Sequence, residues 1–146
     1  SGALSMTMLR YGAEIVGYEI REDFANRAMA NVRGFLGSEA LDRYRVVIGD
    51  SYAGIDPSDG PFDRVVLDLP EPWVAVPAAA DHLRGGGTFA CYLPTVPQVQ
   101  TVREELAAAE VFLQPDTFEV LMRHWVVDGR SVRPEHRMVG HTGFIT

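Results

Sequence analysis

The chain has 146 residues, 47% hydrophobic and 23% charged, which suits a single domain with a substantial core. No apolar run approaches the roughly eighteen residues of a membrane span, the opening residues lack a secretory pattern, and Cys91 alone cannot build a disulfide framework, so a cytoplasmic protein without membrane association is expected. The net charge of −7, with every one of the thirteen cations an arginine, weighs against a nucleic-acid surface, because phosphate neutralisation needs clustered cations.

Short β-rich runs alternate with amphipathic segments, as expected for βα units around a parallel sheet. Ala3 to Tyr11 predicts a short helix with Leu4, Met8 and Tyr11 on one side, and Glu14 to Glu19 a strand ending in an acid. Asp23 to Phe35 places Phe24, Ala28, Val32 and Phe35 at helical steps. Arg45 to Ile48 is a second strand, followed by Gly49, Asp50 and Ser51. Asp56 to Pro61 carries loop residues, and Phe62 to Leu69 predicts a strand covered on both faces. Pro70 and Pro72 stop that strand, and Trp73 to Leu83 follows as a helix. Gly85, Gly86 and Gly87 predict a turn into a buried strand, Thr88 to Leu93, and Val96 to Ala109 a helix. Thr117 to Val127 and Arg137 to Thr146 predict an antiparallel pair joined by Gly129 to His136. The chain opens directly into a helix, where a doubly wound sheet begins with a strand and a glycine-rich turn, so further sequence is expected upstream.

Glu19, Asp50 and Asp68 fall at the C-terminal ends of three successive predicted strands. Open α/β sheets bind ligands beyond those ends, and a carboxylate there can accept hydrogen bonds from a ribose diol. Each acid taken singly is equally a helix N-cap, while three at matching positions favour a ligand. Ser1-Gly2 would be the tail of a glycine-rich turn, a weak signal in two residues. Glu19 alone does not separate a nicotinamide cofactor from a methyl donor.

Leu67-Asp68-Leu69-Pro70-Glu71-Pro72-Trp73 is the most specific stretch. Its prolines fix a turn and remove two backbone donors, leaving the Asp68 carboxylate able to accept from an exocyclic amine. Trp73 is either a stacking surface for a base or, more commonly, a packing residue. Cys91 lies in a buried strand and reads as core. His124, His136 and His141 are too scattered for a zinc site, so no metal is expected. Arg130, Arg133 and Arg137 form a local basic patch, which either touches phosphate or covers a solvated hairpin. Glu104 and Glu105 read as helix surface.

The run LDLPEPW resembles the acidic strand-end motif of the tRNA adenine-58 N1-methyltransferases. Tyr92-Leu93-Pro94-Thr95-Val96-Pro97-Gln98-Val99 is similar to that family's next strand end, and Arg133 to Phe144 (RPEHRMVGHTGF) to its terminal hairpin. The resemblance covers essentially the whole chain. It implies a class I methyltransferase fold: a Rossmann-like three-layer α/β sandwich, mostly parallel, with a C-terminal antiparallel hairpin and the first strand missing. Residues 1–146 would be the S-adenosylmethionine-dependent catalytic domain, incomplete at its N-terminus.

By position, Glu19 would bind the cofactor's ribose and Asp50, with Ser51 beside it, the surroundings of its adenine. Ser1, Gly2, Ala3 and Leu4 would end the glycine-rich loop near the methionine part. Asp68 would serve both cofactor and catalysis, and Tyr92 would hold the target base. The resemblance further implies S-adenosylmethionine as cofactor, tRNA as partner and a homotetramer, in which subunits share the tRNA contacts of an acidic catalytic domain. The same fold acting on a small molecule or protein, or serving as a non-catalytic scaffold, remains open.

Overall fold

The structure is a computed structural model and describes residues 2–140 and 142–146. Ser1 and His141 lie outside the described residues. The chain forms two compact units, residues 1–54 and 55–146.

In the first unit, α1 (Ala3–Arg10) leads to β1 (Ile15–Glu19), α2 (Glu22–Leu36), a 3₁₀ turn (Ser38–Arg43) and β2 (Tyr44–Ile48). The strands β1 and β2 run parallel, in register from Ile15 opposite Tyr44 to Glu19 opposite Ile48. The predicted elements are present; α1 turns another face inward than expected, while α2 buries Ala28 and Val32 as expected but Ala25 in place of Phe35. Helix α2 buries Ala25, Ala28 and Val32, and Leu36 packs against them, whereas Phe35 is exposed. Helix α1 buries Leu9, while Leu4 and Tyr11 face outward. Small side chains explain the difference: alanines at 25 and 28 let α1 approach α2 closely, and Gly2 lies so near that a Cβ on it would stand 3.1 Å from the Ala28 Cα. The core of this unit is Leu9, Ala28, Val32, Ala40 and Tyr44.

Arg43 closes the unit from the polar side. One guanidinium nitrogen donates to the Ala13 carbonyl at 2.8 Å and to the Leu9 carbonyl at 3.3 Å, and its second nitrogen also reaches Leu9 at 3.3 Å. These bonds supply partners where the helical ladder of α1 has run out.

In the second unit, β3 (Phe62–Leu67) is followed by a 3₁₀ turn (Pro72–Ala75), α3 (Val76–His82), β4 (Leu83–Leu93) and α4 (Val96–Ala108). Four short strands complete it: β5 (Phe118–Glu119), β6 (Trp125–Asp128), β7 (Ser131–Pro134) and β8 (Phe144–Ile145). The sheet order is β3-β4-β8-β5, with β3 and β4 parallel and β8 antiparallel to both its neighbours.

Three expectations are corrected here. The glycine run is no turn between elements: it lies inside β4, as a bulge in which β3 advances from Phe62 to Arg64 while β4 advances from Leu83 to Thr88. Gly86 has φ +77°, and a Cβ on Gly87 would stand 2.9 Å from the Arg84 carbonyl oxygen, so side chains are excluded there. Second, burial alternates at the end of the buried strands: Cys91 and Leu93 are buried against Val102 of α4, while Tyr92 and Val66 are exposed. Third, the two long C-terminal strands are short. Only their outer ends pair, Phe118 with Ile145, and the residues between form a separate hairpin of β6 and β7 around Gly129-Arg130. Gly129 has φ +52°, which a two-residue hairpin turn demands.

Candidate active site

Parallel strands pointing the same way deliver their C-terminal ends to one edge, and each unit carries one such pair of ends. In the first unit, Glu19 closes β1 and Asp50 follows β2 by two residues. The Gly49 amide donates to the Glu19 carbonyl at 3.1 Å, which holds the two ends side by side.

The carboxylates are oriented by backbone donors. Glu19 Oε1 accepts from the Arg21 amide at 3.0 Å, and Asp50 Oδ1 accepts from the Tyr52 amide at 2.9 Å. Asp50 is thus the N-cap of the 3₁₀ turn Ser51–Ala53, the structural role weighed against ligand binding for a lone acid. Among the described residues, neither carboxylate makes a further hydrogen bond through its second oxygen.

Arg21 would be the natural competitor for Glu19. Its guanidinium instead pairs with Asp23 at 2.7 Å and lies 3.8 Å from the centre of the Phe24 ring. That hydrogen bond, with the attraction between the charges, holds the Asp23 carboxyl below the usual range and raises Arg21 above its own. Gly2 begins α1 with φ +81°, a conformation suited to glycine, and Ala3 and Leu4 form the helix's exposed first turn. Ser51 is half-buried.

In the second unit, the last register pair of β3 and β4 is Leu67 with Cys91, so Asp68 and Tyr92 stand one step further on, at adjacent strand ends. Asp68 is exposed and makes no hydrogen bond or ion pair among the described residues. Tyr92 is 46% exposed. A Cβ on Gly143 would fall on the Tyr92 ring, so the backbone beside β8 lies flush against that ring. Trp73 packs on the cluster of Cys91, Leu93 and Val102, with Leu67, Phe89 and Val99; it is a packing residue. Cys91 is 1% exposed, and burial pushes its thiol up to about 11, which removes it as a nucleophile at neutral pH.

The protein-family model described as "tRNA methyltransferase complex GCD14 subunit" matches residues 20–135. The chain belongs to this family. A tRNA (adenine(57)-N(1)/adenine(58)-N(1))-methyltransferase, TrmI, of Methanocaldococcus jannaschii is 32% identical over 100% of this chain and 60% of its own length. Among solved structures, an S-adenosylmethionine-dependent O-methyltransferase from Thermotoga maritima superposes with a TM-score of 0.85 at 30% identity, over 99% of this chain and 54% of that one. The tRNA (m1A58) methyltransferase TrmI from Aquifex aeolicus superposes with a TM-score of 0.79 at 25% identity, over 99% and 56%. The chain therefore spans little more than half the length of these three proteins. The fold is the Rossmann-like α/β fold of class I methyltransferases, and the family resemblance in the sequence holds.

Sequence reasoning passed over two residues at the Asp68–Tyr92 end of the second unit. Gly143 carries no side chain to read, and Gln98 occupies what the sequence presents as an ordinary helix start.

Proposed function

We propose that the chain is the catalytic-domain portion of a cytoplasmic enzyme that transfers a methyl group from S-adenosylmethionine to N1 of adenine 58 in the T-loop of tRNA. The observation that carries this is the unpaired Asp68 carboxylate beside Tyr92 at adjacent strand ends, in a chain of this family. Glu19 and Asp50 suit the cofactor's ribose and adenine: each is a carboxylate fixed by a backbone N–H through one oxygen, with the second oxygen able to accept from a hydroxyl or amine. Ser1, Gly2, Ala3, Leu4 and Ser51 take the flanking positions assigned from the resemblance.

Bound S-adenosylmethionine supplies a methyl already activated by its sulfonium charge, so the protein's task is alignment of the acceptor lone pair with the methyl–sulfur bond. Transfer to N1 would leave the methyl–sulfur bonding pair on sulfur and place the positive charge on the base. Asp68 accepts a hydrogen bond from the exocyclic N6 and stabilises that charge where it develops. Tyr92 steadies a base that has been drawn out of its stack.

A homotetramer with shared tRNA contacts forms part of the proposal. The β6–β7 hairpin exposes Trp125 at 61%, Val127 at 74% and Val132 at 62%, an apolar face suited to burial between subunits. Arg130, Arg133 and Arg137 on and after that hairpin are exposed and available to phosphate.

The test is methyl transfer from labelled cofactor to an unmodified tRNA transcript by the full-length protein carrying this chain, with the position mapped by reverse-transcription arrest. Label at a T-loop adenine, lost in Asp68→Ala, is the expected result. Cofactor binding without label on tRNA would move the acceptor to a small molecule or protein, and no cofactor binding would leave a scaffold.

A further inference from the structure

Thr95-Val96-Pro97-Gln98 has the spacing of a capping box, in which the N-cap threonine and the glutamine three residues on satisfy each other's backbone amides at a helix start. The structure spends these side chains otherwise. Thr95 is the N-cap of α4, yet its side chain makes no capping bond. Its hydroxyl donates to Gln98 Oε1 at 2.6 Å, and Gln98 Nε2 donates to the Pro70 carbonyl at 3.0 Å, twenty-eight residues away in sequence. The amide orientation is fixed by chemistry: a carbonyl only accepts, so nitrogen must face Pro70 and oxygen must face Thr95.

Pro70 stands two residues beyond Asp68, in the turn that leaves β3. In that turn the nitrogens of Pro70 and Pro72 carry no hydrogen to donate. Trp73 anchors its far end in the apolar cluster, where Val99, the neighbour of Gln98, also packs. One end of the turn is thus held by apolar packing, the Pro70 carbonyl is held by the Gln98 amide, and Asp68 lies at its entrance.

We infer that Gln98 is a positioning residue for Asp68, tying the turn after β3 to the start of α4 through a relay from Thr95 to Pro70. This rests on the methyltransferase role proposed for Asp68 and adds a residue to that same site. The amide is needed at both ends: Gln98→Glu keeps the acceptor for Thr95 and loses the donor for Pro70, while Thr95→Val removes the support and leaves the donor.

The experiment uses the full-length protein with a tRNA transcript, measuring kcat and KM for wild type, Gln98→Ala, Gln98→Glu, Thr95→Val and Asp68→Asn, and for Gln98→Ala combined with Asp68→Asn. Amide hydrogen exchange of Leu69, Glu71 and Trp73 is followed in parallel. A misplaced reacting group costs up to about a hundredfold in rate. The expected result is kcat lower by about tenfold in Gln98→Ala and Gln98→Glu, a smaller fall in Thr95→Val, and KM within about twofold throughout. Gln98→Ala should cost little once Asp68 is already Asn, since the carboxylate it positions is gone. Exchange at Leu69 and Glu71 should quicken in both Gln98 variants while the global unfolding midpoint holds.

Full additivity of the two substitutions, or an unchanged kcat, overturns the positioning role. Unchanged exchange at Leu69 and Glu71 overturns the tether itself. A wild-type protein inactive on tRNA sinks the methyltransferase reading instead, and the exchange data still decide the tether.

Discussion

Replacing Arg43 by Met removes its guanidinium while keeping most of the aliphatic stem. Of the two carbonyls it serves, Leu9 retains the Gly12 amide at 3.0 Å, so the long bonds to it matter little. Ala13 is half-buried and loses the 2.8 Å bond that Arg43 provides. A charge-assisted hydrogen bond contributes about 1.5–3 kcal/mol, and a cation at a helix C-terminus adds about 0.3–1 kcal/mol. Arg43→Met should therefore cost about 2–3 kcal/mol in urea-induced unfolding. Arg43→Lys, which keeps the charge and reaches one carbonyl, should recover about half of that loss. The m-value should not change, because no surface is newly exposed in either state. A Met variant within about 0.5 kcal/mol of wild type, the usual range of a surface substitution, would refute the assignment of Arg43 as the clamp on α1.

Other measurements bear on the second unit. Asp68→Asn keeps the size of the side chain and removes the charge, so methyl transfer to tRNA should fall by about 10²–10³-fold. Gly143→Ala forces a Cβ onto the Tyr92 ring and should lower stability; combining it with Tyr92→Ala should give back much of the loss, and full additivity would contradict the close approach. Cys91 should resist alkylation at pH 8 in the folded protein and react on unfolding. Because the folded thiol titrates near 11 and an ordinary one near 9, the stabilisation from keeping it neutral is complete below pH 9 and is lost as pH rises towards 11. Leu93→Ala, at a fully buried position, should cost about 2–5 kcal/mol.

Element order was legible because each strand is a short β-rich run and each helix a periodic one. The phase of α1 and the edge of the buried face of α2 were not, because Leu4, Tyr11, Phe24 and Phe35 look like core and the alanine at 25 does not advertise itself; Ala28 and Val32 were placed correctly. Phe24 instead lies beneath the Arg21 guanidinium, a contact no periodicity reveals. The C-terminal third misled for a different reason: Val120, Leu121, Met122, Trp125 and Val127 are apolar yet exposed, so hydrophobicity implied long buried strands that do not exist. The places of Glu19, Asp50 and Asp68 at or just after strand ends were readable from the sequence. Gln98 was hidden by its own pattern, since Thr-x-x-Gln points to a local cap and gives no hint of a partner at Pro70.

The glycine bulge inside β4 has a consequence for how such a chain tolerates changes of length. Side chains alternate along a strand, so one residue lost from a regular ladder turns every later residue to the opposite face. Here that would put Tyr92 inside and Cys91 and Leu93 outside. Residues Gly85, Gly86 and Gly87 form a slack segment upstream of those positions, where an inserted or deleted residue changes the size of the bulge and leaves the pairing from Arg64 with Thr88 onward undisturbed. Indels acceptable to natural selection in this strand should accumulate at the glycines and be purged from the six residues after them.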